Sequence, residues 1–223
     1  MNTAQELVEL LGSKLTRFFH DNFFSTEQIT EAFTGQGYAE HKAGEITQHT
    51  GIPAAGSAMM WYDYNIFNPM FSELILKARV SSADNTFAFF GFKETTDVPA
   101  FDMVESHAGF MIYNGQMYYS TGYTDGAYSK QQRIPFEGFD PRNYLIYKIE
   151  GNKFSIRQLS VIVPYFNGLQ TIIKARDWKL IGENNEVTPR NGMHYIVAYI
   201  ENNTNAEKYL RTEHITYAED YSD

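Results

Sequence analysis

The sequence predicts a mainly β protein, an antiparallel jelly-roll β-sandwich preceded by a short helical segment. Three observations carry that expectation. Aromatic residues make up 16% of the 223 residues, with 17 Phe and 16 Tyr, and aromatic side chains suit the pleated, half-buried surface of a strand. Between positions 35 and 70 stand Gly35, Gly37, Gly44, Gly51, Pro53, Gly56 and Pro69, breakers too closely spaced for long helices. From Phe71 onward, short apolar stretches are separated by turn signals, and strands do not alternate with helical patterns. That order disfavours a parallel α/β sheet.

At the N-terminus, Thr3 and Glu6 have the spacing of a capping box, and Leu7, Leu11, Leu15 and Phe18 follow as one helical stripe, widened by Val8 and Phe19. A second short helix is expected to begin at Ser25 or Thr26, carry Ile29 and Phe33, and stop at Gly35. Residues 1–35 therefore read as a helical arm, which packs on its own domain or on a neighbouring subunit, and residues 36–223 as a single β-sandwich domain. Strands are predicted over 72–81 and, after the Asp84-Asn85 turn, over 87–93, where apolar residues occupy both faces as in a central strand. Stretches 109–113 and 116–121 flank Asn114-Gly115, the favoured two-residue turn of a tight hairpin. Stretches 144–150 and 153–159 flank Gly151-Asn152 in the same way, and further strands are expected over 160–166, 169–174, 194–201 and 209–217.

Two strand pairs and a closing strand carry a family likeness. Ser72-Glu-Leu-Ile-Leu-Lys-Ala-Arg-Val80 followed by Phe87-Ala-Phe-Phe-Gly-Phe92, then Tyr144-Leu-Ile-Tyr-Lys-Ile-Glu150 turning through Gly151-Asn152 into Lys153-Phe-Ser-Ile-Arg157, then Leu210-Arg-Thr-Glu-His-Ile-Thr-Tyr217, resemble the concanavalin A-like lectin/glucanase superfamily. The likeness covers about two-thirds of the chain, residues 71–217, in pattern and order. It implies two curved antiparallel sheets. It leaves the activity open, because this architecture hosts enzymes, lectins and structural proteins.

Charge and composition exclude several function classes. The formal net charge is -9, and without a Lys/Arg cluster such a surface repels phosphate backbones, so nucleic acid is not an expected partner. With no cysteine there is neither a disulfide nor a thiolate metal site. No basic segment followed by an apolar run opens the chain, and no apolar run reaches about 18 residues. The expectation is a protein without a cleaved signal or membrane span, in the cytoplasm or in a virion.

No catalytic motif stands out. A glycosidase of this architecture needs two carboxylates facing each other across a concave sheet; the alternating acidic run of the superfamily's β-glucanases is missing, which leaves Glu94, Glu150 and Glu201 as weak candidates. A jelly-roll lyase would draw on His107, Tyr113, Tyr147, Arg157 and His194, but its Gln-x-His strand motif is absent. The six His have no metal-ligand spacing, and Asp97, Asp102, Glu105 and Asp125 are unlike an EF-hand; no metal and no cofactor is expected. Aromatics are the one enriched resource. Trp61, Tyr113, Tyr118, Tyr119 and Tyr123 are the candidate binding residues, beside Asn114, Gln116 and Asp125, because sugar rings stack on flat aromatic faces while amides and carboxylates bond their hydroxyls. The same tyrosines also serve core packing and protein interfaces.

Three functions remain open on these residues. The leading one is a non-enzymatic structural or adhesive protein acting by surface contact, as a phage or virus particle component whose partners are other subunits or further copies of itself. The second is lectin-like glycan binding. The third is a polysaccharide-active glycoside hydrolase or lyase.

Overall fold

The computed structural model describes residues 15–21, 28–42, 44–52, 56–125, 128–162, 175–202 and 204–220. None of them is helical. They form fifteen strands: β1 (Leu15–Asp21), β2 (Ile29–Thr34), β3 (Tyr38–Lys42), β4 (Glu45–His49), β5 (Ser57–Tyr62), β6 (Ser72–Val80), β7 (Thr86–Lys93), β8 (His107–Tyr113), β9 (Gln116–Asp125), β10 (Tyr128–Phe136), β11 (Leu145–Glu150), β12 (Lys153–Ile162), β13 (Ala175–Asn184), β14 (Tyr195–Asn202) and β15 (Tyr209–Asp220). An eight-stranded sheet runs β13-β12-β11-β6-β15-β4-β3, with β1 also pairing β15. A seven-stranded sheet runs β10-β9-β8-β7-β14-β5-β2.

The core lies between the sheets. Leu74, Leu76, Ala78 and Val80 of β6 face Phe90 and Phe92 of β7 and Phe110 of β8, all within one buried cluster. Tyr147 of β11 bridges the layers, with its ring centroid 4.3 Å from Phe90 and 5.1 Å from Phe110. The Asn114-Gly115 hairpin forms as expected, and both residues take positive φ, 47° and 91°, which the mirror-image turn requires.

The region expected to be helical departs from that expectation where it is described. The stretch assigned to a second helix is strand β2, paired antiparallel with β5 through Ile29↔Tyr62 and Phe33↔Ala58. A spacing of four is even, so Ile29 and Phe33 share a face in a strand as well as in a helix. Leu15 and Phe18, placed in the first helical stripe, lie in β1, whose backbone pairs with β15. Thr3, Glu6, Leu7 and Leu11 lie outside the described residues. The expected strand over 160–166 is in its first part the end of β12, and the expected strand over 169–174 lies outside the described residues. Strands β10 and β13 were not expected. Both lie at sheet edges, where polar residues and Pro135 are tolerated and the apolar signal is weak.

Candidate functional site

Alternation along the central strands of the seven-stranded sheet sends Phe90, Phe92, Phe110 and Ile112 into the sandwich, and Phe87, Phe89 and Met111 to its outer face. That outer face is itself covered. All eight residues of β7 are buried, and Met59, Phe87, Phe89, Met103, Met111, Val197 and Tyr199 make a second apolar cluster. The cover is residues 94–106, the connection from β7 to β8. Its stem is closed by Glu94 N donating to the Ser106 carbonyl at 2.9 Å and Ser106 N donating to the Glu94 carboxylate at 3.3 Å.

Beyond the stem the connection doubles back over the sheet. Phe101 stacks on Tyr113, at 4.2 Å between centroids and 16° between planes, and the Arg133 guanidinium lies 4.4 Å from the Phe101 centroid. The Gln131 amide donates to the carbonyls of Asp102 (2.8 Å) and Met103. Thr124 Oγ1 donates to the Val104 carbonyl at 2.7 Å.

Two histidines secure the same connection. His107 Nδ1 faces the Glu105 carbonyl at 2.9 Å, and Nε2 faces Ser120 Oγ at 2.9 Å. His194 repeats the arrangement with the Gly192 carbonyl and Ser106 Oγ, both at 2.8 Å. A carbonyl only accepts, so Nδ1 carries the proton and Nε2 accepts from the serine hydroxyl. Burial pushes the His107 imidazole down to about 4, and it also lowers His194. Lys93, buried beside them, donates its ammonium to Thr95 Oγ1, and burial lowers it too.

Between this connection and the strands is a cleft of about 460 Å³, lined by Thr34, Ser57, Phe87, Tyr113, Tyr199, Glu201 and residues 98–102. Tyr113 and Phe101, both half-buried, supply aromatic surface, while Phe87 and Tyr199, 2% and 1% exposed, form the packed floor beneath them. Tyr199 Oη donates to Glu201 at 3.1 Å, and Thr34 and Ser57 share a hydroxyl hydrogen bond of 2.7 Å. Burial and the neighbouring Glu201 carboxylate raise the Tyr199 phenol well above its ordinary value, so it remains a neutral donor. The arrangement offers flat apolar faces beside hydroxyls and two carboxylates, Glu201 and Asp102.

Of the aromatics picked from the sequence, Tyr113 lines this cleft. Trp61 and Tyr118 are half-buried against the outer-face cluster. Tyr119 is 2% exposed and packs in the inner core, where burial pushes its phenol up to about 12. Tyr123 shares the parity of Tyr119 on β9, and Arg190 lies 5.7 Å from its ring. Neighbouring tyrosines in the sequence thus sit on opposite faces, as period two demands. The carboxylates are scattered likewise. Glu201 is at the cleft, Glu94 is exposed at the stem, and Glu150 lies on the other sheet, 2.8 Å from Lys148.

The lyase candidates are not assembled either. Tyr147 is in the inner core, Arg157 is on the eight-stranded sheet, and His107 and His194 are buried in their serine pairs. Among the described residues no group of three or more His, Asp or Glu is placed to hold a metal ion. Phe87, Phe101 and Tyr199 were missed. A strand apolar on both faces must be covered by something, and that signal in residues 87–92 could have pointed to the covered outer face.

The sequence matches no protein-family model and no curated protein. Solved structures resemble it in fold. A Shewanella oneidensis MR-1 protein of unknown function is similar at a TM-score of 0.58 and 11% identity, over 99% of this chain and 95% of that one. The Emp47p carbohydrate recognition domain is similar at 0.54 and 11%, over 94% and 98%. The Bacillus licheniformis β-glucanase is similar at 0.53 and 12%, over 90% and 97%. At such identities the likeness speaks for architecture alone: this chain has the concanavalin A-like fold, a two-sheet antiparallel jelly roll.

Proposed function

We propose that this chain is a carbohydrate-binding domain that holds a glycan in the cleft on the outer face of its seven-stranded sheet. The observation that carries this is the lining: the half-buried rings of Tyr113 and Phe101, over a floor of Phe87 and Tyr199, beside Glu201, Asp102 and Thr34 around about 460 Å³. A sugar ring has an apolar C–H face that stacks on an aromatic ring and a rim of hydroxyls that need fixed polar partners, and the cleft combines the two. The shared fold with a carbohydrate recognition domain and a β-glucanase is consistent with that use. Neither the carbohydrate recognition domain nor the β-glucanase speaks for a role in a virus particle. Screening the protein on a glycan array, followed by titration calorimetry, tests the proposal. Binding that falls at least about tenfold in both Tyr113→Ala and Glu201→Gln is the expected result; a blank array sinks it.

One observation favours glycoside hydrolysis as a second function: Glu201 and Asp102 line the same cleft, and such chemistry needs a carboxylate pair. New reducing ends released from a polysaccharide by the wild type, and by neither Glu201→Gln nor Asp102→Asn, would establish it. Release undiminished by both substitutions would eliminate this pair.

A further inference from the structure

The β7–β8 connection divides the outer face into unequal parts. Its stem sits at Lys93 and His107, yet Phe101 stacks on Tyr113, six residues further along β8. At about 3.4 Å per residue the connection reaches roughly 20 Å down the sheet. On the far side of Phe101, its ring also meets Tyr118 at 5.5 Å and Arg133, and Gln131 of β10 ties down the carbonyls of Asp102 and Met103. The part of the face formed by β9 and β10 is therefore occupied by the chain's own side chains. The cleft lies on the other side, over Thr34 of β2, Ser57 of β5, Tyr199 and Glu201 of β14, Phe87 of β7 and Tyr113 at the end of β8.

A polymer lying across the strands from β2 towards β10 runs into the Phe101–Tyr113 stack. From this geometry we propose, resting on the carbohydrate-binding function above, that the cleft selects the terminus of a glycan chain and excludes internal segments, and that Phe101 is the residue setting that limit. The volume agrees. About 460 Å³ lies in the lower half of the range of ligand pockets, about 300–1,000 Å³, room for a few sugar rings at most. A polysaccharide extended across the strands would have to pass through Phe101.

The test compares linear gluco-, manno- and galacto-hexasaccharides with their parent polysaccharides, using calorimetric stoichiometry on the whole chain. For the sugar that binds, the wild type is expected to saturate at one protein per chain end on both forms. Phe101→Ala removes the barrier and, although it also weakens hexasaccharide binding by taking one ring from the cleft, is expected to raise the number bound per polysaccharide chain at saturation on the order of tenfold. Phe101→Leu keeps an apolar contact with Tyr113 while shortening the barrier, and it gives an intermediate stoichiometry if the alanine variant fails to fold. Wild-type protein that coats the polysaccharide along its length overturns the terminus proposal while leaving carbohydrate binding intact. Absence of binding to every hexasaccharide and polysaccharide overturns both.

Discussion

The outer faces of the two sheets follow different rules. On the eight-stranded sheet, β6 alternates strictly between buried and half-buried residues. Its outward side chains Glu73, Lys77 and Arg79 pair with charges or lie against rings: Lys148 with Glu73 at 2.6 Å, Lys77 with Glu213, and Arg79 4.8 Å from Tyr144. On the seven-stranded sheet, β7 has no exposed position, and its outward side chains form a second core beneath a connection from the same chain. One sheet presents a face to water, and the other carries a covered face with a cleft at the margin of the cover. The cleft arises where a buried apolar surface is left incompletely roofed.

If the outer face of the seven-stranded sheet is a true second core, substitution there costs as much as in the first. Phe89 is fully buried and packs with Met103 and Met111. Phe89→Ala is expected to destabilise by about 3–5 kcal/mol, on a par with Phe90→Ala between the sheets. Ile75, outward on β6 and half-buried, should lose only about 1 kcal/mol as alanine. Urea denaturation of the three variants decides it. A Phe89→Ala cost close to that of Ile75→Ala would show that the cover is not part of the folded core.

The next effect is in pH. His107 ties the covering connection to the sheet as a neutral imidazole, held down to about 4 chiefly by burial, with Arg133, Lys93 and His194 adding to the depression and the Glu105 carbonyl opposing it. A histidine lowered on folding contributes stability that is complete above its unfolded value near 6.5 and is lost as pH falls towards 4. The fall corresponds to about 3 kcal/mol across that window. His194 is lowered in the same sense by burial, against the Gly192 carbonyl and Glu94 and with Arg190, and it steepens the decline. Denaturation midpoints between pH 7 and 4 should fall in the wild type and fall less in His107→Gln; a flat wild-type profile would contradict the buried neutral state.

How far the sequence foretold this asymmetry depends on the signal each residue leaves. The sandwich was legible because Asn114-Gly115 and Gly151 fix tight turns and because Phe87-Ala-Phe-Phe-Gly-Phe92 is apolar at every position. Strand β2 was misread because Ile29 and Phe33 satisfy both periods. The cleft was half legible: Tyr113 and Glu201 were picked by residue type, whereas Phe101 and Asp102 stand in a connection with no periodicity, and only its return over the sheet brings them to the site. Tyr119 was picked with its neighbour Tyr118, although composition cannot reveal on which face of β9 a tyrosine falls until the register is set.

A smaller effect separates the cover from the sheet it rests on. Gln131 donates to two carbonyls of the connection, each bond contributing on the order of 1 kcal/mol or less. Gln131→Ala is expected to lower global stability by about 1 kcal/mol while speeding amide exchange in residues 98–104 considerably more than in β7. Equal acceleration in both places would mean that the connection and the strand open as one unit.

The smallest effect belongs to the charged face. Lys148 Nζ serves Glu73 at 2.6 Å and Glu150 at 2.8 Å. Partial burial works against its charge, but the hydrogen bonds it donates to Glu150 and Glu73 outweigh this and hold the ammonium above its ordinary value. Such half-exposed pairs contribute less than about 1 kcal/mol. Glu150 and Glu73 are direct cross-strand partners, so Lys148→Ala also leaves two like charges opposed. Its cost, about 1 kcal/mol, should therefore exceed the value of the pairs themselves. Adding Glu150→Gln to Lys148→Ala should recover part of that cost, and so should raising salt to about 1 M, where screening acts within about 3 Å. A Lys148→Ala cost unchanged by either would mean that the side chain acts through its packed methylene stem, and the two outer faces would then differ less in kind than their burial patterns suggest.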